Sequence, residues 1–176
     1  MVTLVQQIGH NAHVGVHSSA RETESMSQQA SETTVINAPV DQCYEVAADV
    51  ERYPEWATDV KEATVIERDD DGRPVQVAFR TAAMGRSTNY TLRYDFSGAP
   101  ARLAWQLVEG DITRKLDGAY EFTPHPDDAH STEVTYLLEV DLVVPLPGFV
   151  KRRGESKILR TALPELKARV EAITAA

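Results

Sequence analysis

Between residues 59 and 144 the chain alternates apolar and polar positions in six runs, and turn-forming residues separate the runs. A period of two is typical of strands with one buried and one solvated face. The short turns favour pairing between successive strands, and they therefore predict an antiparallel meander. The predicted strands cover residues 59–67, 75–84, 86–97, 102–109, 113–123 and 131–144.

Aromatic residues are concentrated on the apolar parity of this predicted sheet. Four of the six tyrosines lie there, whereas the opposite parity carries mostly charged residues. Each buried tyrosine hydroxyl needs a hydrogen-bond partner, which a hydrated cavity supplies more easily than a filled core. The strand residues on the apolar parity are Tyr90, Leu92, Tyr94, Phe96, Leu103, Trp105, Leu107, Leu116, Gly118, Tyr120, Phe122, Val134, Tyr136, Leu138, Val140 and Leu142.

A strand and two short helices are predicted before the meander. Residues 34–36 are β-branched and favour a strand, which brings the strand count to seven. Pro39 suits a first helical position, and apolar residues then recur at helical spacing. Pro54 disfavours the helical conformation for the residue before it, so we expect the chain to leave the helix at Tyr53.

A long amphipathic helix is predicted over residues 149–173. Pro164 lies inside it and removes one backbone hydrogen bond, so we expect a kink or a break there. Such a bend is either harmless or a device that holds the helix away from the sheet and leaves a cavity. The apolar stripe of the helix consists of Leu159, Ala162, Leu163, Leu166, Val170 and Ile173.

These segments predict an α+β domain over residues 32–176, in which the C-terminal helix covers one face of a seven-stranded antiparallel sheet. Residues 1–31 are rich in Ser, Gln, His and Thr, and we expect them to form a disordered N-terminal tail. Met26 is a candidate natural start, which would make residues 1–25 an upstream extension.

Composition limits the classes of function. The formal net charge is −9, and such an acidic surface argues against a nucleic-acid partner. No apolar run reaches the roughly 18 residues that a membrane-spanning helix needs. The first 30 residues also lack the apolar core of a secretory signal. We therefore expect a cytoplasmic protein.

No combination of residues indicates a catalytic or metal centre, and we expect no cofactor. No histidine lies on the apolar parity, and Cys43 has no base near it in the sequence. The acidic run at residues 69–71 is better explained as a hairpin turn than as a cation loop. Arg114 shares the apolar parity but stands at a strand start, from which we expect it to reach solvent.

Three stretches carry a resemblance to a known family: INAPVDQCYEVAADVERYPEW at 36–56, LDGAYEF at 116–122 and VDLVVPLPGFVKRR at 140–153. They resemble the START-like (SRPBCC) superfamily, and within it the bacterial polyketide cyclase/dehydrase and coenzyme Q-binding group. The resemblance extends from about residue 33 onward and implies a helix-grip fold, in which a curved sheet wraps around the C-terminal helix.

The resemblance also implies a cavity for a hydrophobic ligand between the sheet and that helix. Each residue that it assigns to the cavity can also be an ordinary core residue. Carried over by position, the cavity lining comprises Phe79, Tyr90, Tyr94, Trp105, Tyr120, Tyr136 and Leu163, and the residues nearer a mouth are Tyr53, Trp56, Met84 and Phe149.

Three functions are compatible with the expected fold. The first is binding or carriage of a lipid, an isoprenoid quinone or a polyketide-like compound. The second is a polyketide cyclase or aromatase that uses the same cavity, with a polar group that polarises a carbonyl or moves a proton. The third is a protein-interaction module with a filled core.

A basic cluster at the start of the C-terminal helix stands out in an acidic chain. It can form a peripheral contact with an anionic membrane, or it can be a solvated helix face. The candidate membrane-surface residues are Lys151, Arg152, Arg153 and Lys157.

Overall fold

The computed structural model describes residues 28–83, 85–143 and 148–175, with side chains over 30–82, 87–143, 158 and 160–175. The predicted α+β architecture is confirmed. The strands are β1 (Gln28–Ile36), β2 (Val60–Arg68), β3 (Pro74–Ala83), β4 (Arg86–Asp95), β5 (Arg102–Gly110), β6 (Thr113–His125) and β7 (Asp128–Leu142), and the helices are α1 (Val40–Ala48), α2 (Tyr53–Trp56) and α3 (Gly148–Thr174).

The seven strands form one antiparallel sheet in the order β1-β7-β6-β5-β4-β3-β2. The meander from β2 to β7 follows the chain, and β1 adds to its far edge beside β7. β1 begins at Gln28, which pairs with Val140, so residues 28–31 belong to the sheet rather than to the predicted tail. Strand pairing at a sheet edge uses backbone groups, so the polar side chains of residues 28–31 do not indicate that these residues form a strand.

The inner face of the sheet is the predicted apolar parity. The register aligns Phe79 with Tyr90, Tyr94 with Trp105, and Tyr120 with Tyr136, so these aromatic residues share one face. The outer face carries cross-strand ion pairs, which is the expected use of a solvated sheet surface. These pairs join Arg80 to Glu62, Arg93 to Glu67, Arg102 to Glu121 and Lys115 to Glu139.

The segment between β1 and β2 differs from the prediction at one point. Tyr53 has helical backbone angles (φ −54°, ψ −38°) and begins α2, so the predicted departure from the helix at this residue is wrong. Pro54 lies in the first turn of α2, where proline is tolerated because its missing N–H has no helical partner to lose. The break falls earlier, in the short 3-10 turn Val50–Arg52 that follows α1.

α3 runs without interruption through Pro164, so the predicted break does not occur. Leu163, Leu166 and Val170 are buried and form the face that packs on the rest of the domain. Polar contacts fasten the helix after Pro164 to β1 and to the segment around α2. They join Lys167 Nζ to Val35 O at 2.5 Å, Asn37 N to Glu171 Oε1 at 3.0 Å, Thr58 N to Glu165 Oε2 at 3.1 Å, and Arg169 Nη2 to Glu55 Oε2 at 2.8 Å.

Gly118 allows the indole of Trp105 to lie against β6. A Cβ atom at Gly118 would stand 2.5 Å from Trp105 Cζ2 and 2.5 Å from the carbonyl oxygen of Leu137. Both contacts are too short for carbon, so any side chain here must displace the indole and the neighbouring strand. The glycine is therefore required by packing rather than by backbone conformation.

We predict that Gly118→Ala lowers the free energy of unfolding by about 1–3 kcal/mol, the range typical of overpacked sites. Urea denaturation followed by circular dichroism measures the change. Thr123→Ala is the matched control, because Thr123 is an exposed residue of the same strand, and it should change stability by no more than about 0.5 kcal/mol. Equal effects of the two substitutions would contradict the packing argument.

Candidate functional site

A continuous series of aromatic contacts crosses the inner face of the sheet beneath α3. Neighbouring rings lie within the distance range of favourable aromatic pairs, and they meet mostly in tilted or stacked geometry. The centroid distances are 4.8 Å for Trp56–Tyr53, 6.2 Å for Tyr53–Phe79, 5.6 Å for Phe79–Tyr90, 6.5 Å for Phe79–Tyr94, 6.3 Å for Tyr94–Trp105, 5.4 Å for Trp105–Tyr120, 5.6 Å for Trp105–Tyr136 and 4.8 Å for Tyr120–Tyr136.

The aromatic series runs from half-buried to buried rings. Tyr53, Trp56 and Tyr90 are half-buried, whereas the rings of Phe79, Tyr94, Trp105, Tyr120 and Tyr136 are buried and keep at most 6% of their surface accessible to water. Buried aliphatic residues such as Leu92 and Val140 keep 5%, so the inner rings are as closely covered as the core around them. Water therefore reaches the series mainly at its half-buried rings.

Five tyrosines of this region are close enough to influence the ionisation of one another's hydroxyl groups. Burial raises the pKa of Tyr53, Tyr94, Tyr120 and Tyr136 well above the ordinary value of 10, and the other tyrosines of the group raise it further. Burial also raises the pKa of Tyr90 to about 12, against a hydrogen bond with Thr81 that lowers it. All five groups are therefore neutral hydrogen-bond donors at physiological pH.

Tyr53 and Trp56 lie at the end of the aromatic series on α2, and both are half-buried. The Tyr53 hydroxyl donates to the carbonyl oxygen of Ala47 at 2.6 Å, which ties α2 back to the last turn of α1. Their rings meet edge to face, with an interplanar angle of 63°. This position is compatible with a rim, and their role at a mouth stays a prediction.

The remaining predicted site residues divide into two groups. Leu163 is buried on α3 in the same core as the aromatic series. Met84 and the side chains of Phe149, Lys151, Arg152, Arg153 and Lys157 lie outside the described residues.

Arg114 is exposed, as we expected for a residue that reaches solvent. An irregularity in the β6–β7 register between Thr113 and Lys115 shifts the parity there, and Thr113 takes the buried position instead. An inward-facing Arg114 would have placed a positive charge on the inner face of the sheet.

Two kinds of residue near the aromatic series were not predicted. Thr81 and Thr88 are buried on the inner faces of β3 and β4 close to Tyr90. Both threonines follow the alternation that marks the inner face. A pattern defined by apolar residues does not identify short polar ones. Glu165 on α3 acts on the Tyr120 hydroxyl, and only the helix position brings those two residues together.

The described cysteine and histidines, the residue types that most often act in catalysis, lie outside the aromatic series. Cys43 is fully buried, and burial raises the pKa of its thiol, which disfavours the nucleophilic thiolate. His125 and His130 lie on the β6–β7 hairpin and are not fully buried. Among the described residues, no group of three or more His, Cys, Asp or Glu side chains is placed to hold a metal ion.

Asp69 closes a hairpin turn, as predicted for the acidic run at 69–71. One carboxylate oxygen of Asp69 accepts from the backbone N–H groups of Asp71 at 3.1 Å and Arg73 at 2.8 Å. The other accepts from the Arg73 guanidinium at 2.7 Å. Gly72 completes the turn in the left-handed region at φ 79°.

Two open depressions, of about 500 and 490 Å³, lie on the outer face of the sheet. Their linings include charged side chains that point outward, such as Arg93 and Asp95 in one and Glu62 and Arg80 in the other. Ligand pockets for small molecules are usually concave and mainly apolar. The aromatic series on the inner face is therefore the stronger candidate for a binding site.

A family model described as polyketide cyclase/dehydrase and lipid transport matches residues 36–167. The chain belongs to this family. Members of the polyketide cyclase/dehydrase family bind hydrophobic small molecules in general. No curated protein matches the sequence significantly. None of the described helices is long and apolar enough to cross a membrane.

Several solved structures have the same fold as this chain. A START superfamily protein from Mycobacterium smegmatis has 23% identity and a TM-score of 0.76 over 82% of this chain and 98% of its own. The Zhui aromatase/cyclase from Streptomyces sp. R1128 has 18% identity and a TM-score of 0.69 over 82% and 93%.

A third similar structure is the di-domain aromatase/cyclase BexL from the BE-7585A biosynthetic pathway. It has 22% identity and a TM-score of 0.65 over 85% of this chain and 48% of its own. At these identities the likeness shows the fold. The helix-grip arrangement of a curved seven-stranded sheet around a C-terminal helix is thereby confirmed.

We predict that the clustered tyrosines stay protonated until the protein unfolds in alkali. Their pKa is higher in the folded protein than in the unfolded chain, so above about pH 10 the folded state holds more protons. Their contribution to stability is complete below that pH and is lost as the pH rises toward the folded pKa, which is about 12 for Tyr90.

Phenolate absorbance in the near ultraviolet, recorded beside circular dichroism during an alkaline titration, checks this expectation. Tyr44 lies outside the cluster and should ionise first, and the others should ionise together with loss of structure. In concentrated urea all six tyrosines should titrate near the ordinary value. Five phenolates in a protein that is still folded at about pH 10.5 would contradict a buried hydroxyl cluster.

Proposed function

We propose that this protein binds and carries a hydrophobic small molecule, such as a lipid, an isoprenoid quinone or a polyketide-like compound, between the aromatic series and α3. The supporting observation is the continuous series of ring contacts that leads from the half-buried Tyr53, Trp56 and Tyr90 to the buried rings of Tyr94, Trp105 and Tyr136. A ligand that fills this space gains apolar contacts without exposing any of its own surface.

A protein-interaction module with a filled core explains this arrangement less well. Such a module needs the inner face only for stability, which completely buried rings would serve better than the half-buried rings of Tyr53, Trp56 and Tyr90. The outer face offers little to a partner either, since its described charges are largely paired across strands.

A polyketide cyclase or aromatase is the second candidate function. It is favoured by the tyrosine hydroxyls, because a neutral phenol can donate to a carbonyl oxygen and polarise it. The aromatase/cyclases among the similar structures point the same way. Carriage is preferred because the two described histidines, His125 and His130, lie on the β6–β7 hairpin and not in the aromatic series, so neither supplies an imidazole there for proton transfer.

We predict that the protein retains a hydrophobic small molecule after purification or takes one up from a lipid extract. Native mass spectrometry, with identification of the released compound, checks this. A compound recovered unchanged supports carriage. A protein that stays empty and converts a poly-β-ketone into a cyclised product would overturn carriage in favour of the cyclase.

The place of binding is tested with Nile red, an uncharged fluorescent probe of apolar sites, and two variants of α3. Leu163 is buried and Ala168 is exposed on the same helix. Leu163→Trp should fill space beneath the helix and weaken Nile red binding by about tenfold, whereas Ala168→Trp should leave it unchanged. Thermal unfolding of both variants separates a filled site from a lost fold, and equal affinities in two folded variants would argue against this location.

We further propose that the basic start of α3 docks the protein on anionic membranes, where a carrier would load or release its ligand. The candidate surface is formed by Lys151, Arg152, Arg153 and Lys157, in a chain whose net charge is −9. Local positive charge can act at short range despite an acidic total, because salt screens distant charges within about 8 Å.

Co-sedimentation with vesicles tests the docking proposal. Binding should rise with the fraction of phosphatidylserine, since each basic residue near an anionic surface contributes about 1 kcal/mol. Replacing all four basic residues with Gln should abolish the dependence. As a matched control, replacing Arg80, Arg93 and Arg102 on the outer sheet face should preserve it. Binding that is independent of anionic lipid would remove the proposal.

A further inference from the structure

The short helix α2 lies at the point where the aromatic series meets solvent. Its rings, Tyr53 and Trp56, are half-buried, whereas Tyr94 and Trp105 further along the series are as closely covered as the core. A ligand cannot reach closely covered rings through a rigid interior, because protein cores are packed without channels. An element that covers the series must therefore move before a hydrophobic ligand enters.

Packing holds α2 only weakly. The helix has four residues, and each of them is exposed or half-buried. The chain on either side is fixed, since Val50 is completely buried and Val60 begins β2. Between these two anchors, Arg52 (φ −92°, ψ 4°) and Ala57 (φ −86°, ψ 103°) leave the helical region at the two ends of α2. Residues at the ends of short elements are the usual hinges of such movements.

The inner contacts of α2 can be exchanged at small cost. The Tyr53 ring meets Phe79 with centroids 6.2 Å apart, and its hydroxyl donates to the carbonyl oxygen of Ala47 at 2.6 Å. If α2 turns outward, water replaces Ala47 as the partner of the hydroxyl, so the net loss in hydrogen bonding is small. The same movement uncovers Phe79, from which the series continues to Tyr90 and Tyr94.

Polar contacts with α3 hold α2 in this closed position. Arg169 Nη2 binds Glu55 Oε2 at 2.8 Å, and the other carboxylate oxygen of Glu55 accepts from Arg52 Nε at 2.7 Å. Directly after α2, the backbone N–H of Thr58 donates to Glu165 Oε2 at 3.1 Å. The hydrogen bond from Arg52 lowers the pKa of Glu55, so this carboxyl is ionised at neutral pH. An exposed ion pair changes a conformational equilibrium by about fivefold at most, so these contacts close the series without locking it.

We propose that α2 is a gate, which opens outward to admit a ligand to the aromatic series, and that the Glu55–Arg169 ion pair is its latch. The gate rests on the proposed binding function and adds the route by which the ligand enters. A latch acts on the route and not on the bound state. It therefore slows association and dissociation of the ligand by the same factor and leaves Kd unchanged.

Stopped-flow fluorescence with Nile red tests the latch, because it measures both rates. Arg169→Met keeps an apolar stem and removes the charge, so both rates should rise by about two- to fivefold while Kd stays within about twofold. Arg52→Met is the matched control. It removes the ion pair within the segment and leaves the pair with α3, so it should change neither rate. Equal rates in the wild-type and folded Arg169→Met proteins would overturn the latch, as would a changed Kd with an unchanged association rate.

A cross-link tests the gate. Glu55→Cys with Arg169→Cys, joined by a short bismaleimide, ties α2 to α3 and should slow association of Nile red by at least about tenfold. The same linker between Arg102→Cys and Glu121→Cys is the matched control, because it replaces an ion pair of the same residue types on the outer sheet face. It should leave association unchanged. Cys43 is fully buried and does not compete for the reagent.

The outcomes separate the gate from the proposed function. Association that is equally fast in the folded protein before and after Glu55→Cys and Arg169→Cys are joined would overturn the gate while leaving the binding site in place. Equal slowing by the outer-face linker would also overturn it, because the effect would then not depend on α2. Failure of Nile red to bind the wild-type protein would count against the binding function itself.

Discussion

The inner face of the sheet has to bury large rings and also satisfy the hydroxyl groups attached to them. Aromatic rings contribute stability through buried area and ring contacts, whereas each buried hydroxyl without a partner costs about 1–3 kcal/mol. Among the described residues no buried side-chain nitrogen or oxygen lacks a partner. Hydrogen bonds meet part of this demand, since the Tyr53 hydroxyl donates to the carbonyl oxygen of Ala47 and the Tyr90 hydroxyl bonds to Thr81.

The position of α3 decides how much of that face stays open. After Pro164 the helix is tied to β1 and to the α2 segment by several polar contacts and packs through Leu166 and Val170, which are almost completely buried. The described contacts of the helix are therefore concentrated after Pro164, where apolar packing and polar contacts act together.

The sequence predicted the fold well because its signals were local and periodic. Alternation gave the six meander strands, and helical spacing gave α3. Other features depended on tertiary structure. Pairing with β7 drew residues 28–31 into β1, and a register shift at Thr113 turned Arg114 outward. The nearness of Glu165 to Tyr120 joins two elements distant in sequence, and no local pattern carries that information.

The same physical argument explains why one fold can serve several activities in this family. A phenol that stays neutral can hold a carbonyl in place, and holding a carbonyl is the first requirement of both carriage and cyclisation. What separates the two is a group that removes a proton, which requires a pKa near neutrality. At this cluster the described neighbours are carboxylates and phenols, and the pKa of each clustered phenol is moved away from neutrality. The neutral phenols therefore meet the requirement that carriage and cyclisation share.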